Sequence, residues 1–214
     1  MDIMDLIKER HSVRRYKEDK IEEEKRVLLD EYIKKCNEES GMNIQSFYDE
    51  PKAFKNSLLH YGKFTNANNY IALIGTSQEQ AGYYGEKIVL RAQELGLNTC
   101  WVVLTYDKKQ VKFNKKDKEK LLCVISVGYG MHNGKPHNSK KPEDVLVLKG
   151  EKPEWLDRAV ESCLLAPTAL NQQKFKIICD NGNVTIKKTL GVYATIDLGI
   201  IKCHFDLATN KTSL

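Results

Sequence analysis

Leu29, Tyr32, Ile33 and Cys36 fall at i, i+3, i+4 and i+7, and Leu156, Ala159, Val160 and Cys163 repeat that spacing far along the chain. Each set lays an apolar stripe along a helix, so each helix needs a surface to rest on. The chain supplies that surface. Asn69–Gly75 reads as a buried strand, and Thr99–Leu104 and Leu121–Val127 are short continuous apolar runs of the kind central strands take. Phe175–Cys179 and Val184–Lys188 flank Asp180-Asn181-Gly182-Asn183, a hairpin signal.

The remaining elements follow from the same patterns. Residues 2–9 suit a short helix. The helix over Glu22–Cys36 is predicted to break across Asn37–Asn43, with Ser40-Gly41 as its stop. Ala81–Leu95 is helical, with Ala81, Tyr84, Ile88, Ala92 and Leu95 on one side and Gly96 as terminator. A weaker helix is expected between Leu104 and Leu121. Residues 129–152, rich in Gly, Pro, Asn, Ser and Lys, read as a long surface connection. Helices over Pro153–Leu165 and Thr195–Ala208 complete the set. Gly199, Phe205 and Leu207 of the last helix line up with Gly82, Ile88 and Leu90 of an earlier one. Both parts of the chain thus run helix, strand, then a helix packed through a small residue, which reads as a degenerate internal repeat. Chance alternation in a chain of helices and strands would look similar.

Composition narrows the function classes. The 214 residues suffice for one sizeable core, and 41% hydrophobic with 29% charged residues is ordinary for a globular chain. No apolar run is long enough to span a bilayer. The N-terminus carries Asp2 and Asp5 where a signal peptide is basic, so a cytoplasmic location is expected. Six cysteines form no C-x-x-C pair and sit in apolar stretches, as reduced buried thiols do. The five histidines make no zinc spacing, and no metal is expected. The lysine run from Lys108 to Lys120 is diluted by Asp107, Asp117 and Glu119 and lacks interleaved aromatics. It reads as a solvated helix face or loop, not a nucleic-acid surface.

Two polar stretches carry chemistry. Arg10-His11-Ser12-Val13-Arg14-Arg15-Tyr16, leaving a helix in extended form, alternates its side chains, so Arg10, Ser12 and Arg14 point one way and His11, Val13 and Arg15 the other. Two guanidiniums flanking a hydroxyl can grip a phosphate; a solvated basic turn paired with Glu22, Glu23 and Glu24 is the plain alternative. Ala166-Pro167-Thr168-Ala169-Leu170-Asn171-Gln172-Gln173 caps an amphipathic helix with neutral donors and acceptors able to read a ring edge. A polar turn at a helix stop is the alternative here.

Four stretches together resemble the FMN-dependent nitroreductases. The Arg-His-Ser-Val-Arg-Arg-Tyr stretch looks like that family's opening signature, and Ala-Pro-Thr-Ala-Leu-Asn-Gln-Gln is similar to its A-P-S-x-x-N-x-Q. Leu95-Gly96-Leu97-Asn98-Thr99-Cys100-Trp101 resembles L-G-L-G-T-C-W. Asp197-Leu198-Gly199 with His204-Phe205-x-Leu207-Ala208 resembles D-x-G followed by H-L-x-L-A. In an ordinary member the A-P-S signature follows the first motif by one helix. Here Asn37-Glu38-Glu39-Ser40-Gly41 holds that place, and the signature lies late in the chain. That order resembles the family's tandem branch, in which one chain carries two degenerate half-folds.

The resemblance implies an α+β fold with a mixed central sheet flanked by helices, built from two fused halves. These are residues 1–128 and 153–214, joined by 129–152 into one compact unit. It implies one FMN per chain across a pseudo-twofold interface, and a monomeric pseudo-dimer or weak homodimer. The implied activity passes electrons from transient NAD(P)H through FMN to a nitroaromatic, a quinone or a similar small acceptor, by ping-pong. Arg10 and Ser12 would hold the phosphate, with His11 near the phosphate or ribityl chain. Arg14 would reach the ribityl and the N1–C2=O edge as electrostatic support. Pro167, Thr168, Ala169 and Asn171 would line the isoalloxazine. Leu104 lies in the stretch whose backbone faces N5 in the family, although the usual glycines are missing. The late phosphate-side lysine falls at Lys140 or Lys141. Lys174-Phe175 stands where the family favours Pro-Trp, so one wall of the substrate pocket is expected to differ. Hydride transfer requires no acid, base or nucleophile from the protein, since the cofactor carries that chemistry. Two other classes fit less of the sequence: a sensor or carrier that binds a flavin or related nucleotide without turnover, and a basic protein that binds RNA or acidic partners.

Overall fold

The computed structural model describes residues 2–55, 63–211 and 213. In chain order the elements are α1 (Ile3–Glu9), α2 (Glu23–Ser40), β1 (Gln45–Phe47), α3 (Lys52–Lys55), β2 (Tyr70–Gly75), α4 (Gln78–Glu94), β3 (Asn98–Val102), β4 (Lys120–Gly128), α5 (Pro142–Val145), β5 (Leu146–Lys149), α6 (Leu156–Leu165), β6 (Phe175–Asp180), β7 (Asn183–Lys188) and α7 (Ala194–Thr209), with a single 3-10 turn at Ala169–Asn171. They divide into two compact units. One holds Arg10–Ser77 and Lys87–Lys135; the other holds the chain up to Glu9, Gln78–Glu86 and everything from Pro136 onward. No helix among the described residues is long and apolar enough to cross a membrane.

The first unit is built on an antiparallel sheet in the order β1-β2-β4-β3. β2 is buried at all six positions and β4 over its last six, which is why both read as unbroken apolar runs. Tyr70, Ala72, Ile74, Val102 and Val124 form a core with Val13, Tyr16, Ala53 and Phe54. α2 buries Leu29, Ile33 and Cys36. It does not break at Asn37, because the Asn37 side chain turns away to pair with the Ile44 backbone in both directions, at 2.7 and 2.8 Å. The helix therefore continues through Glu38 and Glu39 and stops at Gly41, which sits at φ 69° with its N–H donating to the Asn37 carbonyl.

The second unit carries β5-β6-β7, with β5 parallel and β7 antiparallel to β6. Asn181 and Gly182, at φ 46° and 81°, make the predicted hairpin turn. α7 is buried at twelve of its sixteen residues. It crosses α4 backbone to backbone: a Cβ on Gly82 would strike the Ile196 carbonyl oxygen, and one on Gly199 would strike the Glu79 carbonyl oxygen.

Several expectations are corrected. Among the described residues the strands form two sheets instead of one mixed sheet, and of these β5-β6-β7 mixes directions. The strand expected to reach Leu104 ends at Val102. No helix forms among residues 103–119. Asp107 instead closes a turn, its side chain accepting from the Lys109 N–H and its carbonyl from Gln110 and Val111, and the lysine run has no apolar stripe to dock. The 129–152 connection contains α5 and β5. β5 is an exposed edge whose side chains never alternate with burial, so no period marks it. β1 and α3, of three and four residues, are too short to show one.

Candidate functional site

Arg10–Tyr16 lies in the first unit as an extended segment fastened along both edges. The Val13 N–H donates to the Thr99 carbonyl on β3 at 2.9 Å, and the Thr65 N–H donates to the Arg14 carbonyl at 3.0 Å. Tyr16 and Lys17 donate to Thr65 and Tyr129, and the Met131 N–H returns a bond to Arg15. Val13 and Tyr16 are fully buried, and the Tyr16 hydroxyl bonds Ser126 at 2.8 Å. These anchors fix the alternation expected from sequence. Ser12 is bridged to Thr99 on β3, next in sequence to the Cys100 thiol. Burial pushes that thiol's pKa up, and Arg14, Ser12 and Arg10 draw it back. Gly134, at φ 80°, closes over the segment, where a Cβ would come within 2.6 Å of the His11 Cβ. His11, Ser12 and Arg14 are half-buried and Arg10 is buried. Two guanidiniums and a hydroxyl gathered on one rigid edge form a donor set that fits a phosphate.

The amide loop belongs to the second unit. Leu170, Asn171 and Gln173 sit at φ 52°, 52° and 45°. A left-handed backbone at three non-glycine residues persists only where neighbours impose it, and here two side chains do so. The first is Asp197, in the first turn of α7. It accepts from the Ala169 N–H at 3.0 Å and from the Gln172 amide at 3.1 Å. Burial raises its pKa from 3.8 to about 6, against those two bonds, which lower it. The second is Gln173, only 1% exposed. Its amide nitrogen donates to the Leu164 carbonyl, its amide oxygen accepts from the Lys140 N–H, and its own N–H donates to the Thr168 hydroxyl. Pro167 is buried, Thr168 and Ala169 are half-buried, and Asn171 is exposed, with its amide donating to the Asn138 carbonyl at 2.8 Å.

Lys140 joins this loop. Its ammonium donates to the Gln173 carbonyl at 2.8 Å, while Lys141 caps α5 and bonds Asp144. Leu104 follows β3 in the first unit and is 51% exposed. The structure thus brings Arg10, Ser12 and Arg14 together in one unit, and Pro167, Thr168, Ala169, Asn171 and Lys140 together in the other.

Sequence reasoning missed Gln173 and Asp197 as supports. Both stand inside quoted motifs, and a polar residue within an otherwise apolar helical turn was the available signal for Asp197. The second unit also hides a polar cluster. His204 and Glu86, both fully buried, lie 3.0 Å apart, and the other ring nitrogen of His204 faces the Ser162 carbonyl at 2.9 Å. A carbonyl only accepts, so Nδ1 carries a hydrogen and Glu86 faces Nε2.

A family model described as "Putative TM nitroreductase" matches residues 2–209. Among solved structures, a Thermotoga maritima protein described as a "putative nitroreductase" is 25% identical with a TM-score of 0.64, the match covering 97% of this chain and 83% of that one. A Desulfovibrio desulfuricans protein of the same description, in complex with FMN, is 16% identical with a TM-score of 0.54, covering 72% of this chain and 99% of that one. A Parabacteroides distasonis protein described as a "Putative NADH dehydrogenase/NAD(P)H nitroreductase" is 20% identical with a TM-score of 0.53, covering 66% of this chain and 95% of that one. The last two are likenesses of fold alone. No curated protein matches the chain.

Proposed function

The chain belongs to the TM nitroreductase family, and from that premise we propose that it is an FMN-dependent oxidoreductase passing electrons from NAD(P)H to a small oxidised acceptor. Bound FMN would supply the two-electron redox chemistry that links NAD(P)H, in ping-pong order, to a nitroaromatic, a quinone or a similar acceptor. The protein's own part is to bind, orient and tune.

The observation that carries the reading is the extended Arg10–Tyr16 segment, fastened at both edges, with Arg10 buried and Ser12 bridged to Thr99 on β3. Arg10 and Ser12 are assigned to the phosphate, with His11 beside it. Arg14 is assigned to the ribityl chain and the N1–C2=O edge, where a fixed cation favours the negative charge that reduction creates. Pro167, Thr168, Ala169 and Asn171 are assigned to the ring, on a loop whose conformation Asp197 and Gln173 enforce. Lys140 is assigned to the phosphate side, and Leu104 to the stretch facing N5. The proposal includes the two fused half-folds, 1–128 and 153–214, a single flavin per chain, a chain that works as a monomeric pseudo-dimer or weak homodimer, and a cytoplasmic location.

The test is the visible spectrum of freshly purified protein, followed by anaerobic NAD(P)H. We expect a flavin spectrum that bleaches. Arg10→Ala should lose flavin during gel filtration while the wild type keeps it. Colourless wild-type protein would overturn the reading. Yellow protein that NAD(P)H does not bleach would make it a flavin-binding sensor or carrier instead. Flavin retained equally by Arg10→Ala would remove Arg10 from the phosphate.

A further inference from the structure

Leu170, Leu190 and Val192 are 69%, 96% and 52% exposed. Solitary exposed apolar residues are common, but these three stand on two loops that one side chain joins. The Gln172 amide donates to the Val192 carbonyl and accepts from the Val192 N–H. Its nitrogen also reaches Asp197 at 3.1 Å. The loop after β7 is further tied by the Thr189 N–H, which donates to the Lys174 carbonyl at 2.8 Å. Leu170 is held at φ 52°, a conformation that leucine avoids when left alone. Asp197, through the Ala169 N–H and the Gln172 amide on either side of Leu170, holds the turn that leaves this leucine exposed.

A cation borders the same loops. Lys174 lays its stem against Gly191, between Leu190 and Val192, so closely that a Cβ on Gly191 would meet Lys174 Cγ at 2.9 Å. Lys174 is exposed, and its ammonium has no hydrogen-bond or ion-pair partner among the described residues. Exposed apolar side chains beside an ammonium suit a flat apolar ring that carries an anionic substituent.

We propose that Leu170, Leu190, Val192 and Lys174 form a subsite for a planar aromatic acceptor bearing an anionic group, such as a carboxylate. Naming the acceptor class rests on the oxidoreductase reading; binding itself does not. The probes are para-nitrobenzoate and its neutral isostere para-nitrobenzamide, with affinity read by ligand-observed NMR on the purified protein and kcat/KM by NAD(P)H oxidation. We expect the carboxylate to be preferred about two- to fivefold, as a solvent-exposed ion pair allows, and the preference to shrink as salt rises. Lys174→Gln should abolish the preference. Leu170→Asn, a residue at ease in a left-handed backbone, should weaken both ligands. Equal affinity for the two probes in the wild type, or a preference that survives Lys174→Gln, would overturn the subsite. A Lys174-dependent preference in binding, in a protein that NAD(P)H does not reduce, would keep the subsite and overturn the oxidoreductase reading.

Discussion

Asp197 shows how one residue can trade stability for a loop's shape. Its carboxylate holds the Ala169 N–H and the Gln172 amide, yet burial raises its pKa from 3.8 to about 6. The folded state therefore binds this proton more tightly than the unfolded chain does. Between pH 3.8 and about 6 the folded state holds more protons, so stability falls as pH rises through that window. The whole interval is worth about 3 kcal/mol, to order of magnitude. Above it, the ionised carboxylate is a constant cost offset only in part by its two donors. Asp197→Asn cannot titrate. Relative to this variant, the wild type should lose stability from pH 4 to pH 7, seen in urea midpoints taken across that range; parallel curves would show that Asp197 does not titrate there. Only the slope is diagnostic, because an asparagine amide would also set a second donor against Gln172. Gln173 makes the complementary point. Its partners Leu164, Thr168 and Lys140 become neighbours only once the loop has its path. Nothing in the spacing of Gln172-Gln173 ranks one amide above the other, and so the hub was not legible in the sequence.

Among the elements, glycines separate two physical causes. Gly82 and Gly199 let α4 and α7 cross with backbone against backbone, and an added Cβ at either would meet a carbonyl oxygen of the other helix. Backbone cannot swing aside as a side chain can, so Gly82→Ala and Gly199→Ala should each cost about 3 kcal/mol or more. The gain of about 1 kcal/mol in helix propensity does not offset this. Gly41 is different: it sits at φ 69° with open space around its Cβ position, and Gly41→Ala should cost only about 1 kcal/mol, from the left-handed backbone alone. Thermal or urea unfolding of the three variants checks the ranking, and equal losses would refute the crossing. The sequence already matched Gly82 with Gly199, because a small residue recurring in an apolar helix leaves a periodic mark. Long elements were legible for the same reason: α2, α4, α6 and α7 each repeat their buried positions several times, and the Asp180–Asn183 turn carries its own chemistry. β1, α3 and β5 have three or four residues, with no second period to detect. The division into two sheets was not legible either, since apolar runs specify burial and say nothing of which strand is the neighbour.

For the molecule as a whole, the decisive quantity is how many flavins one chain can hold. The basic motif occurs once. The amide loop also occurs once, and residues 37–41, where an early copy would stand, are instead the last turn of α2 and its glycine cap. A helix that uses Asn37 to fix Ile44 has no amide left over for a ring edge. On the proposed assignment, a single chain has donors for one phosphate and one loop for one ring. Absorbance of flavin released by heat, against total protein, should then give about one FMN per chain, whatever the oligomeric state. Dilution supplies the sharper test. If the flavin depended on two copies, its release would follow dissociation of the oligomer and scale with protein concentration. If one chain suffices, bound-flavin fluorescence and sedimentation will part company: the protein reaches its monomer mass while the flavin stays bound, leaving only at concentrations set by its own dissociation constant. Flavin lost in step with dissociation, or a content of one FMN per two chains, would place half of the site on a partner copy and end the fused-half reading.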